Sequence, residues 1–457
     1  MLQTPEDIDL DEAVRHENWP LIRQALADLH PADIAELIAR THVRHQRQLF
    51  ALVEADRQSD VLAELEHEDA AEEVIETLSS VELRRLIDQM APDDAADVLG
   101  ELPADETEEV LALMAQADSR DLRQLMRYPE DSAGGIMTTD VVSMRESQTV
   151  AEAIDAIAHM DEREKFYTAN VVGPEGVMFG YIDIWDLLRE PNANRPLSDL
   201  MNQKFVSVTA EMDQEDVAKL MAKYNLDVLP VLDDDGILLG RITADDVLDV
   251  IEEEASEDIF MLAGSDDAEL DTGSIFSSCA ARLPWLLITL LGGFFTSLIL
   301  QAFHAHIHEA IVLAAFVPIV LAMGGNTGIQ SSTLVVRSIA LGNAAPRHMG
   351  RWLGRELAAG ATMGLICGTI VGAWAHLVVQ LAGTPAATPP LKLALVVGLA
   401  LFAAMTFAAS FGAFVPTVLQ RLRIDPAVAS GPFVSITNDI AALLIYYGVT
   451  ILLIIGT

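Results

Sequence analysis

The sequence predicts a multi-domain protein: an all-α N-terminal superhelix, an α/β tandem pair, a long acidic connecting helix and an α-helical membrane domain with five transmembrane helices. Three observations carry that reading. The 457 residues have a formal charge of -41 yet a positive mean hydropathy of +0.30, a combination foreign to a single soluble domain. The charge is segregated, because from Gly273 onward the acids are Glu309, Glu356, Asp425 and Asp439 against eight Lys and Arg, which leaves 65 acids and 20 bases before it. The same C-terminal half holds five apolar runs, each long enough to cross a bilayer, which takes about 20 helical residues.

The first 272 residues therefore form an acidic, cytosolic-type region, one that repels nucleic acid and attracts divalent cations. No nucleic-acid partner is expected. The opening MLQTPEDIDLDEAV has neither the basic start nor the apolar core of a signal peptide, so the N-terminus is expected in the cytosol. Cys279 and Cys367 sit in or beside apolar runs and read as small core residues.

Residues 1–130 show helical periodicity with a weak repeat: LEHEDAAEEVIETL (65–78) resembles MAPDDAADVLGEL (90–102), and LSSVELRRLIDQM (78–90) resembles LPADETEEVLALM (102–114). Each unit begins with a capping Pro, Ser or Asp and continues as an amphipathic helix, so short helices should stack into a right-handed superhelix.

Residues 131–245 alternate short β-rich runs with helices in the order strand, helix, strand, turn, strand, helix, once near 137–190 and again near 201–245. Each half has an acidic turn, GPEG or DDDG, and a strand-to-helix junction, GYIDIWD or GRITADD. This resembles a tandem pair of CBS motifs. In such pairs the junction Thr and Asp hold a nucleotide, which points to Thr243 and Asp246, and to Asp186 in the first half, with ATP as the candidate ligand. The first junction departs from the pattern, with Asp183 where Ser or Thr is usual; a CBS pair with no nucleotide is the alternative.

The text DVLDVIEEEASEDIFMLAGSDD (246–267) opens a stretch, 246–272, expected to form one acidic connecting helix. Asp246, Asp249, Glu254, Glu257 and Asp258 recur at spacings of three to five, so several share a face. Like charges one turn apart destabilise a helix by a few tenths of a kcal/mol each. A bound cation would relieve the repulsion.

The membrane domain spans 273–457, with transmembrane helices expected at about 283–303, 311–340, 357–380, 391–419 and 432–455. Arg282, Arg337, Arg347, Arg351, Arg355, Arg421 and Arg423 fall on one side of this topology, so the positive-inside rule puts the N-terminus in the cytosol and the C-terminus outside. The second run contains GGNTGIQSS and the fifth contains SITND, with Asp439 well inside apolar sequence. Polar groups at that depth are tolerated when buried in protein or lining a wet cavity. An ionisable one marks a functional site by default. Two readings stand for the small residues of the second run, a close helix-packing seam and a pore wall. No base lies near the centre of any span, so a cation is the missing partner of Asp439. Oxygen-only donors, with no Cys or Met cluster, suit a hard ion such as Mg²⁺, Ca²⁺ or Mn²⁺. One carboxylate per chain suits Mg²⁺, which keeps several waters, and two subunits on a two-fold axis would supply a pair.

PIVLAMGGNTGIQSSTLVVRSIALG, RIDPAVASGPFVSITNDIAALLIYY, the tandem pair and the acidic superhelix together resemble the MgtE family of magnesium channels, over essentially the whole chain. That resemblance implies a homodimer in the bacterial inner membrane, in contact with lipid, that takes up Mg²⁺ and closes when cytosolic Mg²⁺ is plentiful. It implies Asp439 as the main pore acid, with Ser435, Asn326, Gly325 and Thr327 beside it. It implies Asp93, Asp94, Asp97, Glu215, Asp246, Asp249, Glu254, Glu257 and Asp258 as sensor acids. Gly431 stands where some members carry Asn, and Asn225 where an acid is expected. The nearest rival is a secondary transporter coupled to Na⁺ or H⁺, since one transmembrane acid can relay protons. Enzyme motifs are lacking: there is no H-E-x-x-H, and GGNTG is not followed by G-K-[ST]. HAHIHE (304–309) has three histidines at every second position and is a weaker metal candidate.

Overall fold

A computed structural model describes residues 10–65, 70–160, 166–265, 275–304, 313–340, 349–382, 389–422, 424–427 and 431–455. The chain divides into two compact units, Met1–Glu252 and Glu253–Thr457.

The first unit opens with short helices: α1 (Leu10–Arg15), α2 (Trp19–Leu26), α3 (Pro31–Ala39), α4 (Val43–Leu52), α5 (Gln58–Ala63), α6 (Ala70–Ile75), α7 (Ser80–Ile87), α8 (Pro92–Gly100), α9 (Ala104–Leu113) and α10 (Asp118–Leu125). Their starts are written in the sequence. Pro occupies the first turn of α2, α3 and α8, where its missing N–H has no helical partner to lose. Ser79 and Glu82 close a capping box at α7. Each helix turns a narrow apolar stripe inward, as α8 does with Ala95, Val98 and Leu99. No single helix is long enough to be stable alone, so the shared core of Ile34, Leu49, Leu62, Val74, Leu86 and Leu99 holds the stack.

Two small sheets follow. In the first, β1 (Ser143–Arg145) pairs parallel with β2 (Thr168–Val172), which pairs antiparallel with β3 (Met178–Asp183). In the second, β4 (Val208–Thr209), β5 (Val228–Leu232) and β6 (Leu238–Thr243) repeat that order and those directions. Helices α11 (Val150–Ala158), α12 (Ile184–Arg189) and α13 (Gln214–Tyr224) complete the two halves. The halves join reciprocally: Met178 N–H donates to Gly236 O and Leu238 N–H to Gly176 O. Gly176 and Gly236 sit at φ +84° and +80°, the left-handed turn positions that favour glycine.

Helix α14 (Ala244–Ala263) is the acidic connector. It begins two residues before the expected start, because Thr243 and Asp246 cap it. It also stops before residue 272: Gly264, at φ +74°, turns the chain left-handed, and the N–H of Ser265 closes on the Phe260 carbonyl. Residues 266–272 of the expected connector lie outside the described residues.

The second unit holds α15 (Ile275–His304), α16 (Val317–Ala340), α17 (Met349–Ala382), α18 (Pro390–Leu422) and α19 (Pro432–Thr450), the last continued by a π-helical turn, Ile451–Ile455. All five are long and apolar enough to cross a membrane. Helix α17 starts eight residues before the expected 357, because RWLGRELA is helical without being apolar. The α17 and α18 backbones touch: a Cβ on Gly368 would lie 2.4 Å from Gly398 O, and one on Gly372 would lie 2.8 Å from Ala394 O. Only glycine allows that approach. Apolar side chains such as Leu286, Leu298, Leu365 and Leu395 remain exposed along these helices. Cys279 is exposed on α15 rather than buried in a core, and Cys367 is half-buried.

Candidate cation pathway and sensing sites

The polar stretches of α16 and α19 face each other. A Cβ on Gly325 would lie 3.5 Å from Asp439 Oδ1 and 3.8 Å from Ser435 Oγ, and one on Gly324 would lie 3.3 Å from the Ala442 methyl. A glycine there leaves the Asp439 carboxylate beside bare helix backbone. Among the described residues no Lys or Arg pairs with it. Asn438 turns the other way, 1% exposed, with neither amide atom hydrogen-bonded. It fills the hollow left by Gly328, where a Cβ would overlap its Nδ2.

The remaining pore candidates are placed differently. Thr327 is buried and donates its hydroxyl to the Met323 carbonyl of its own helix, 2.6 Å away. Asn326 lies on the exposed side of α16. Gly328 is a packing seam against α18, where a Cβ on Gly412 would lie 2.3 Å from its carbonyl, while Gly325 opens onto Asp439.

The sensing candidates converge in the first unit at one point. Asp93, on α8, is 8% exposed and its Oδ1 has no hydrogen-bond partner. Burial first, then the charges of Asp94 and Asp246, push its carboxyl up to about 8, against hydrogen bonds from its own backbone and Thr138. Thr138 exchanges backbone hydrogen bonds with Arg241 of β6, which ties the approach of α8 to the strand that leads into α14. Asp246 is itself held above the usual carboxylate range by burial, with the Thr243 hydrogen bonds opposing. Three acids therefore press on one buried spot, and Asp93 keeps an unused oxygen there. A cleft of about 590 Å³ runs alongside, lined by Asp60, Pro92, Asp94, Asp140 and Arg241 among others.

Other sequence candidates stand apart or are otherwise engaged. Asp97 is exposed on α8. Glu215, in the first turn of α13, pairs with Lys219 at 2.6 Å. Asn225 ends α13 at φ 50°, a left-handed cap that Asn tolerates and most residues resist, which accounts for an amide where an acid was expected. Thr243 Oγ1 donates to Asp246 Oδ2 at 2.5 Å, so the nucleotide candidates of the second half are spent on capping α14. Asp186 lies in the first turn of α12 and, after burial, helps to raise Asp183. Asp249, Glu254, Glu257 and Asp258 all lie on α14. Among the described residues no three His, Cys, Asp or Glu form a ready-made metal cage. His306, His308 and Glu309 lie outside the described residues.

Two features escaped sequence reasoning. Gly431 lets the start of α19 meet the end of α14: a Cβ there would lie 2.8 Å from Leu262 O, and Pro432 packs near Gly264. That contact requires the small residue at 431. Glu356 is buried inside α17 and accepts a hydrogen bond from Ser331. Its position eight residues into a helix was hidden by expecting that helix to start at 357.

Comparison with known proteins gives three matching families. Residues 317–449 match the MgtE divalent cation transporter family, residues 29–131 match the MgtE intracellular N domain, and residues 133–192 and 197–253 match CBS domains. The chain is 35% identical to the magnesium transporter MgtE of Thermus thermophilus over 454 residues, 98% of each chain. It is 30% identical to the magnesium transporter MgtE of Bacillus subtilis over 430 residues, 93% of this chain and 92% of that one. Among solved structures, the cytosolic domain of an Mg²⁺ channel MgtE in complex with ATP is similar at 32% identity and TM-score 0.48, covering 53% of this chain and 98% of that one.

Proposed function

Because this chain belongs to the MgtE family of divalent cation transporters, and so to transporters rather than enzymes, we propose that it is a Mg²⁺-selective channel for magnesium uptake, closed by Mg²⁺ on its cytosolic side. It acts as a homodimer in the bacterial inner membrane, its N-terminus cytosolic and its C-terminus outside. The observation that carries the reading is Asp439: a carboxylate within a membrane helix, facing the backbone of Gly325, beside Ser435, with no basic partner among the described residues. An anion so placed is stable only if a cation visits it. A hydrated Mg²⁺ fits, since a lone carboxylate strips little water and the glycine wall leaves room for what is kept.

The closing device is the acidic region. Asp93, Asp94 and Asp246 repel one another while packed together, and Mg²⁺ bound between them removes the repulsion. A ligand shifts an equilibrium by its differential affinity, so ions that bridge packed acids favour the packed, closed form. Helix α14 carries that state to the pore helices, because its end at Leu262 rests on Gly431 at the start of α19. Asp249, Glu254, Glu257 and Asp258 on α14 act with the cluster, and Asp97 and Glu215 are secondary sensors. ATP is the proposed second ligand of the CBS pair, and it would compete with α14 capping for Thr243 and Asp246.

The test is Mg²⁺ entry into liposomes holding the full chain. Asp439→Ala should abolish it while the protein still folds; wild-type flux in that variant ends the proposal. Single-channel current steps without a Na⁺ or H⁺ gradient are expected, and strict dependence on such a gradient would instead establish the coupled transporter.

A further inference from the structure

The membrane helices bury a second carboxylate away from Asp439. Glu356 on α17 is 8% exposed, and Ser331 Oγ of α16 donates to its Oε2 at 2.9 Å. Among the described residues no Lys or Arg pairs with it. A buried acid with one hydroxyl for company is costly to desolvate and calls for a use.

The neighbouring contacts suggest that use. Helix α16 meets α18 and α19 at close range, with Gly412 against the Gly328 carbonyl, Asn438 in the hollow at Gly328, and Gly325 facing Asp439. Helix α17 is likewise fastened to α18 by the backbone contacts at Gly368 and Gly372. Glu356 reaches from that fastened pair to α16, one turn beyond Thr327. Trp352 and Leu353 of α17 pack beside it on Val335 and Ile339 of α16, an apolar surround that strengthens the bond. Hydrogen bonds are directional, so this one fixes both the height and the rotation of α16.

We propose that Glu356, acting through Ser331, is a positioning residue of the cation pathway, holding α16 so that Gly325 faces Asp439. The inference rests on the reading of α16 and α19 as pore helices. Ser331→Ala removes the donor, Glu356→Ala removes the acceptor, and Glu356→Gln keeps an acceptor oxygen at the same size.

The experiment measures Mg²⁺ entry against external Mg²⁺ in liposomes holding the full chain. Lost folding removes working channels and lowers maximal flux alone, whereas a shifted α16 changes the half-saturating Mg²⁺ concentration of the channels that remain. That concentration should rise about tenfold in Ser331→Ala and in Glu356→Ala, and no further in the double variant, as expected for one hydrogen bond to a charged group. Glu356→Gln should stay near wild type. Unchanged half-saturation in Ser331→Ala, or effects that multiply in the double variant, would overturn the assignment. Should Glu356→Ala fail to reach the membrane, Ser331→Ala and Glu356→Gln decide it alone. Asp439→Ala run in parallel separates the two claims: if it still conducts, the pore reading fails; if it is silent while Ser331→Ala behaves as wild type, only the tether fails.

Discussion

Asp93 illustrates how much one buried carboxyl can carry. With its folded value pushed up to about 8, it resists charging, so the stability of its packed surroundings is fully present below the unfolded carboxylate range near 4 and is lost as pH rises through about 8. Asp246, shifted the same way, adds to the trend. In chelator, thermal unfolding of residues 1–252 should therefore fall in midpoint between about pH 5 and 8, and Asp93→Asn should flatten the slope and stabilise the fragment by a few kcal/mol at pH 8. Mg²⁺ needs the charged form and displaces the proton, so its stabilising effect should grow over the same interval in wild type. A slope unchanged in Asp93→Asn would remove Asp93 from the cluster's account. Asp93 was legible as an acid in MAPDDAAD; that it is buried while Asp97 is exposed depends on which face of α8 meets Thr138, and that is set by the fold.

Among the elements, α14 and the glycine-lined face of α16 decide most. Neutralising Glu254, Glu257 and Asp258 together should leave Mg²⁺ flux intact and weaken its inhibition by internal Mg²⁺; patch-clamp recording with internal Mg²⁺ titrated reads this directly, and full inhibition would discredit α14 as a sensor. Gly412→Ala forces a methyl to within 2.3 Å of Gly328 O, an overpacking that should cost roughly 1 to 3 kcal/mol and show as a lower unfolding midpoint in detergent. The helices themselves were readable from apolar length and caps. Their ends were not: α17 begins early because an amphipathic turn precedes the apolar run, and α14 ends early because Gly264 adopts a left-handed backbone.

For the whole molecule, the division at Glu252 separates an acidic unit with its own core from a membrane unit with another. A chain starting at Glu253 should therefore still insert and pass Mg²⁺ but lose most inhibition by internal Mg²⁺, a result checked by flux at low and high internal Mg²⁺. Retained inhibition would put the sensor in the membrane unit. The segregation of 65 acids from five apolar runs, the twofold strand-helix order and the isolated Asp439 are properties of composition and periodicity, so the sequence by itself determined the architecture and singled out Asp439 as the pore candidate. Which acids are buried together, that Gly325 lies against Asp439, and that Glu356 accepts from Ser331 were decided only by tertiary structure. Helix rotation and the burial of one face are collective outcomes of packing, and no local pattern of residues encodes which neighbour a side chain will meet.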